Sequence, residues 1–299
     1  MIYFKRNALS RISETEEICA RVVDLMLESL VKSPLDGMAR DYMEDIGTGK
    51  MLRARMAFAV GGALEADFTR VLHAAAAVEM VHAATLLHDD VIDGGSLRRG
   101  SPTFWKQHGV QGAILVGDML LFKAIELVRG VGDHDLTGEL IDLTGEVCMA
   151  EVEQELVLRG SESHSWEDCV SLARRKTGSL FAFSAMAPAT EPQLAHALKQ
   201  AGYLVGTAYQ LCDDILDASD KVEQAGKSLG SDMRRKKTTA ATAAPEGSSV
   251  APEHIANLCA KSTDSLAKWP AVQDRWKSFM RATINPVLES LMAGIDHVG

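Results

Sequence analysis

Aromatic side chains are scarce in this chain, 5% of 299 residues, and proline occurs only 8 times. Strands lean on aromatic and β-branched residues, so this poverty, beside plentiful alanine, leucine and methionine, favours helix. Cysteines are few and unpatterned. Cys19, Cys148, Cys169, Cys212 and Cys259 form an odd set without a CxxC pair, which excludes a disulfide framework and reads as reduced thiols in a cytoplasmic protein. No uninterrupted apolar run approaches the roughly 18–20 residues of a membrane span. The opening MIYFKRNALSRISETEE lacks an apolar signal core, so neither a targeting segment nor integral membrane contact is expected. Basic charge is in deficit: 31 Lys and Arg against 41 Asp and Glu give −10, which argues against a general nucleic-acid binder. At 46% hydrophobic and 24% charged residues, the composition is that of a globular chain and not of a disordered one.

What is present is helical periodicity. Segment 11–32 has apolar residues at 18, 22, 25, 26 and 30, three or four apart as on one face of a helix, and Ser13 with Glu16 fits a capping box. Segments 66–93, 110–130, 135–159, 165–187, 193–218 and 271–293 repeat the pattern, broken by Gly94 and Gly95, Gly160 and Ser161, and Glu191 and Pro192. No run alternates at strand spacing. The expectation is one all-α domain over 1–299, a bundle of roughly ten helices. The composition shifts only at 238–252, TTAATAAPEGSSVAP, which reads as a mobile surface loop or, more sharply, as a flap over a neighbouring site.

Chemistry concentrates in two acidic clusters. Asp89, Asp90 and Asp93 lie in HDDVID; Asp213, Asp214 and Asp217 lie in CDDILD. In each, the first and last carboxylates stand one helical turn apart and point the same way. Each cluster ends a strongly apolar stretch, where six carboxylates would repel severely without cations. Hard divalent ions relieve such repulsion, and Mg²⁺ is usual when phosphates complete its shell. Cations surround the clusters in sequence: Lys50 and Arg53 in GKMLRARM, Arg98 and Arg99 in LRRGSPT, Lys176 in KTGSLF, Lys227 in GKSLGSD, and Lys236 and Lys237 in RRKKTT. In an acidic protein this points to diphosphate held jointly by metal and by Arg and Lys. GTGK at 47–50 and GKS at 226–228 are not nucleotide loops, because Glu44 and Lys221 stand where the first glycine is required. His82 and His88 lack zinc spacing, and His82 reads better as a donor to phosphate oxygen.

GKMLR, HAATLLHDDVIDGGSLRRGSPT, KTGSLF, YQLCDDILD, and GKSLGSD with KKTT occur in this order over about 47–239. The series resembles the trans-isoprenyl diphosphate synthases, or polyprenyl synthetases. The resemblance implies an isoprenoid-synthase bundle with a central cavity, a homodimer, and three Mg²⁺ ions held by Asp89, Asp90, Asp93, Asp213, Asp214 and Asp217. It assigns Arg98, Lys176, Thr177, Gln210, Lys227 and Lys237 to the allylic diphosphate. Gly49, Lys50, Arg53, His82 and Arg99 match the metal-free pocket for isopentenyl diphosphate. The implied reaction ionises the allylic diphosphate in a water-excluded cavity, lets the homoallylic double bond attack, and returns the proton to the released diphosphate. No nucleophilic side chain is needed.

The resemblance also places chain-length residues above the first cluster: Thr85 and Ala84, then Val81, then Ala77 and Val78. None is bulky, and the 12 positions from Asp89 to Ala77 make ~18 Å of helix, so a product longer than farnesyl is expected, geranylgeranyl or beyond. The alternative is a packed core helix with the tunnel closed by Phe122 or Met149, and a farnesyl product. The chain departs from the family where Gly-Glu-x-x-Gln is usual and Gly145-Glu146-Val147-Cys148-Met149 stands, and where Lys236 precedes Lys237. A class I terpene cyclase would lack the second DDxxD and the basic pocket; a non-catalytic subunit would have a degenerate site.

Overall fold

In this computed structural model the backbone is described over residues 8–31, 37, 40–42, 49–158, 165–218 and 247–292. Side chains are described over 16–31, 37, 40–42, 49–158, 165–215 and 252–292. The elements in order are α1 (Ala8–Leu30), α2 (Leu52–Leu64), α3 (Phe68–Asp93), β1 (Leu97–Arg98), β2 (Ser101–Pro102), α4 (Phe104–Arg129) and α5 (His134–Val152). They continue with α6 (Trp166–Ala173), α7 (Ser179–Met186), α8 (Pro192–Ala218), α9 (Gly247–Asp264), α10 (Pro270–Phe279) and α11 (Asn285–Met292). Three π-helical turns, Glu153–Val157, Arg174–Gly178 and Met280–Ile284, extend α5, join α6 to α7 and join α10 to α11. The all-α expectation holds, apart from the four-residue antiparallel ribbon pairing Leu97 with Pro102 and Arg98 with Ser101.

Helix α3 is the axis of the bundle. It packs against α4, α2, α1 and α7, and Ala74, Ala75, Ala76, Ala77, Val78, Val81, Ala83 and Ala84 are all buried. Its expected amphipathic pattern is therefore corrected: a helix enclosed on every side has no polar face to keep. Its small residues admit neighbouring backbones closely. Enclosure also explains why α3 is long and apolar enough by length and composition to cross a membrane although His73, Glu79 and His82 interrupt it: 72% of that window is buried inside the protein. Asp67 starts the helix by accepting from the Arg70 N–H at 2.8 Å, and Gly94 in the left-handed region ends it.

Helix α7 is wholly buried and bridges α3 and α8. Gly202 and Gly206 make its contact with α8 close. A Cβ on Gly206 would lie 2.7 Å from Gly178 Cα, and one on Gly202 would lie 2.5 Å from the Phe181 carbonyl oxygen. That approach sets Thr177 against Gln210.

Two expected boundaries change. Helix α1 starts at Ala8, so Ser13 stands inside it and not at its start; a capping box joins Ser165 and Asp168 at the start of α6. The 238–252 loop is shortened, because residues 247–252 already belong to α9, with Pro252 in its first turns. Residues 238–246 lie outside the described residues.

Candidate active site

The first cluster closes α3 with its carboxylates divided. Asp89 and Asp93 are partly exposed on one face, while Asp90 is buried. Asp90 accepts two bonds from Arg98, Nε to Oδ2 at 2.9 Å and Nη2 to Oδ1 at 2.8 Å. Burial alone would lower the Arg98 pKa, but the Asp90 carboxylate outweighs it and holds the guanidinium above its ordinary value. The return of the chain makes this grip. Gly94 turns at φ 65°, and the Gly95 carbonyl accepts from Trp105 Nε1 at 2.7 Å and Thr103 Oγ1 at 2.8 Å. The ribbon then folds Arg98 back over Asp90, with Arg99 at its tip in the left-handed region, φ 51°. His88 packs against α4 where Gly117 leaves room; a Cβ there would lie 2.2 Å from His88 Nε2.

The second cluster closes α8. Gln210 donates from Nε2 to Asp214 Oδ1 at 2.6 Å and accepts from Thr177 Oγ1. Asp213 lies one turn beyond Tyr209 and helps burial raise that phenol's pKa, while Arg53 and Arg99 pull it down. The backbone of Asp217 is helical, and its side chain lies outside the described residues.

Lys176 links the clusters. It sits on the π-helical turn beside Thr177, pairs with Glu151, and donates to Gln154 Oε1 at 3.1 Å. Burial presses its pKa down, but Asp89, Glu151 and Asp93 together hold it above the ordinary lysine range. One neighbour of this ammonium thus belongs to the first cluster, and the next residue reaches the second.

A basic group, Arg53 with Arg99, also acts on Tyr209. Arg53, in the first turn of α2, is buried with its guanidinium carbon 5.0 Å from the Phe181 ring centre. Its Nε has no hydrogen-bond partner among the described residues. Burial lowers its pKa, opposed by Glu79 and Tyr209. Lys50 does not share a helical face with Arg53, because Met51 at φ 48° precedes the helix and leaves Lys50 exposed ahead of it. Gly49 is next to it, and His82 stands on α3 one turn after Glu79. Lys227, Lys236 and Lys237 lie outside the described residues.

Of the chain-length set, Ala77, Val78, Val81 and Ala84 are buried, and Thr85 donates to the His82 carbonyl at 2.8 Å. Phe122 and Met149 are 70% and 64% exposed, so neither closes a tunnel from within this chain. Met149 is consequently not the residue facing the site from α5. Glu151 and Gln154 take that place, and only their contact with Lys176 across the bundle marks them. Glu79 was also missed; a lone charge inside AAAAVEMVHAAT was its signal.

Among the described residues, no three His, Cys, Asp or Glu side chains are close enough to hold a metal ion. The donor chemistry still fits a hard cation. Asp89 and Asp93 of the first cluster act electrostatically on one ammonium, Lys176, and Thr177 beside it is tied through Gln210 to Asp214. Oxygen donors on two helix ends, gathered around a positive charge, suit Mg²⁺ or Ca²⁺ better than a thiophilic ion.

With this geometry, the sequence pattern of the polyprenyl synthetases matches residues 35–269, and the chain belongs to that family. A short chain isoprenyl diphosphate synthase of Methanocaldococcus jannaschii is 34% identical over 198 residues, 64% of this chain and 60% of its own length. A geranylgeranyl diphosphate synthase of Mycobacterium tuberculosis is 32% identical over 238 residues, 74% of this chain and 67% of its own. The chain thus aligns with about three-fifths to two-thirds of these curated relatives. A crystal structure of a polyprenyl synthase from Caulobacter crescentus, complexed with calcium and isoprenyl diphosphate, superposes with a TM-score of 0.71 at 26% identity, covering 98% of each chain.

Proposed function

We propose that this protein is a trans-prenyltransferase that joins isopentenyl diphosphate to an allylic diphosphate, 1′–4 and head to tail, with a geranylgeranyl or longer product. One observation carries the reading: Lys176 lies in the field of Asp89 and Asp93 and is followed by Thr177, which is tied through Gln210 to Asp214, while Arg53 and Arg99 act on Tyr209, one turn before Asp213. That is an acidic, metal-fitting subsite beside a basic, metal-free one.

Asp89, Asp90, Asp93, Asp213, Asp214 and Asp217 would hold Mg²⁺, three ions by the resemblance. The bound cations would screen the diphosphate and stabilise charge as the allylic C–O bond breaks. Lys176 and Arg98 supply positive charge at the departing oxygens, and Thr177 with Gln210 holds the Asp214 carboxylate in place. Lys227 and Lys237 are assigned to the same diphosphate by the resemblance. Lys50, Arg53, His82 and Arg99 hold the second diphosphate so that the homoallylic double bond meets the allylic carbon. A C–C bond forms there, and the proton lost from the isopentenyl unit passes to the released diphosphate. The apolar residues above Asp89 exclude water and receive the growing chain.

The test is incorporation of labelled isopentenyl diphosphate with farnesyl diphosphate and Mg²⁺, followed by chromatography of the chain. A C20 or longer product supports the reading. Farnesyl as sole end product overturns the length, a cyclic hydrocarbon points to a cyclase, and no turnover overturns the enzyme. Ala84→Phe shortens the product if α3 lines the tunnel. A homodimer is part of the proposal, supported by exposed apolar side chains along α4, α5 and the following turn, among them Leu115, Phe122, Met149 and Leu156. Light scattering should then give twice the 32.3 kDa chain mass. A cytoplasmic setting rests on the five unpaired cysteines.

A further inference from the structure

Helix α2 begins without a cap of its own. Its N-terminal residue, Met51, has an apolar side chain that accepts nothing, and the first turn of any helix leaves backbone N–H groups to be satisfied. The acceptor comes instead from another helix. Glu79 on α3 is 2% exposed, and its Oε1 accepts from the Ala54 N–H at 3.0 Å. The same carboxylate takes the Arg53 N–H and lies in the field of the Arg53 guanidinium. Anions are favoured at this end of a helix, and a buried carboxylate persists only with such partners. The residue so held carries the guanidinium that lies over Phe181, with its Nε unpartnered among the described residues.

From this we infer that Glu79 is a positioning residue for isopentenyl diphosphate binding: by capping α2 through the Arg53 and Ala54 N–H groups, it aims the Arg53 side chain into the basic subsite. Glu79 touches no substrate; it acts through Arg53. The inference rests on the proposed function above, which assigns Arg53 to that subsite. It explains why a carboxylate stands in the most apolar run of the chain, on the face of α3 turned toward α2, one turn before His82.

The experiment is a double-mutant cycle of Glu79→Gln and Arg53→Gln, reading KM for isopentenyl diphosphate, KM for the allylic substrate, and kcat separately. Glu79→Gln keeps the shape and removes the charge. It should raise KM for isopentenyl diphosphate about tenfold and leave the allylic KM within about twofold, a split that general destabilisation would not produce. Combined with Arg53→Gln, it should add nothing, because both changes remove one interaction. Additive effects, equal rises in both KM values, or an unchanged KM in a folded Glu79→Gln protein overturn the inference while leaving the pocket assignment intact. An unchanged KM in Arg53→Gln overturns the pocket assignment, and the inference with it. Where Glu79→Gln does not fold, Glu79→Asp takes its place in the cycle: a carboxylate one methylene shorter should give a smaller rise in the same KM alone, and no rise overturns the inference.

Discussion

The two acidic clusters carry the same DDxxD spacing and show different contacts among the described residues. At the end of α3, a buried carboxylate is locked by a cation: Arg98 grips Asp90 from a ribbon pinned through Gly95. At the end of α8, Asp214 is held by a neutral amide, which is held in turn by the Thr177 hydroxyl. An ionic clamp out of water resists rearrangement, since breaking it strands a charge. A chain of neutral hydrogen bonds can be redirected at modest cost. Among the described contacts, the same motif is anchored by an ion pair in one cluster and by a neutral amide in the other.

The largest expected effect separates the two directly. Arg98→Ala should cost roughly 3–5 kcal/mol of stability by leaving Asp90 buried and unpaired, whereas Gln210→Ala should cost about 1 kcal/mol. Urea unfolding of both variants measures this, and equal losses would erase the distinction. In turnover the clusters should be equals. Asp89→Asn and Asp213→Asn should each lower kcat about 10²–10³-fold, as should chelation of the metal, in the labelled-substrate assay. A Asp213→Asn protein with full turnover would break the pairing of the clusters.

A smaller effect probes how the second cluster is placed. Gly206→Ala puts a Cβ 2.7 Å from Gly178 Cα, so α8 must move off α7 and the Thr177–Gln210 contact must lengthen. About 1–3 kcal/mol of stability should be lost, with a fall in kcat; thermal unfolding beside kinetics decides it. The smallest effect concerns the root of the same helix. The Tyr203 hydroxyl donates to Glu146 Oε2 at 2.7 Å, and burial together with this bond pushes its pKa up to about 12. A phenol titrates at about 10 when unfolded. Its contribution to stability is therefore complete below about pH 10 and is lost as pH rises through about 12. Tyr203→Phe should be less stable than the parent at pH 8, and the gap should close with alkali.

Most of the site was legible because its residues announce themselves by charge in apolar surroundings. Asp89 and Asp93 share a face at helical spacing, as do Tyr209 and Asp213, and the ends of α3 and α8 fall where Gly94 and the acidic runs predict. What escaped notice was held by tertiary structure. Helix α2 buries seven of the ten residues from Leu52 to Gly61, Arg53 among them, and Arg55 is the one charged side chain left partly exposed there, too little for periodicity to show. Lys50 and Arg53 sit three apart without sharing a face, because a left-handed residue stands between them. Glu151 and Gln154 stand three apart on the face that meets Lys176, a partnership across helices that spacing along one helix does not show. Met149, two residues before Glu151, points the other way and is exposed.

The π-helical turn at Arg174–Gly178 amounts to one surplus residue wedged into the passage from α6 to α7. Wound as an ordinary α-helix with no residue removed, the same segment would rotate everything on one side by about 100° about the helix axis relative to the other. Lys176 and the buried face of α7 could then no longer be satisfied together. The chain tolerates a widened coil at this spot because a narrower one would force a choice between its reactive cation and its core.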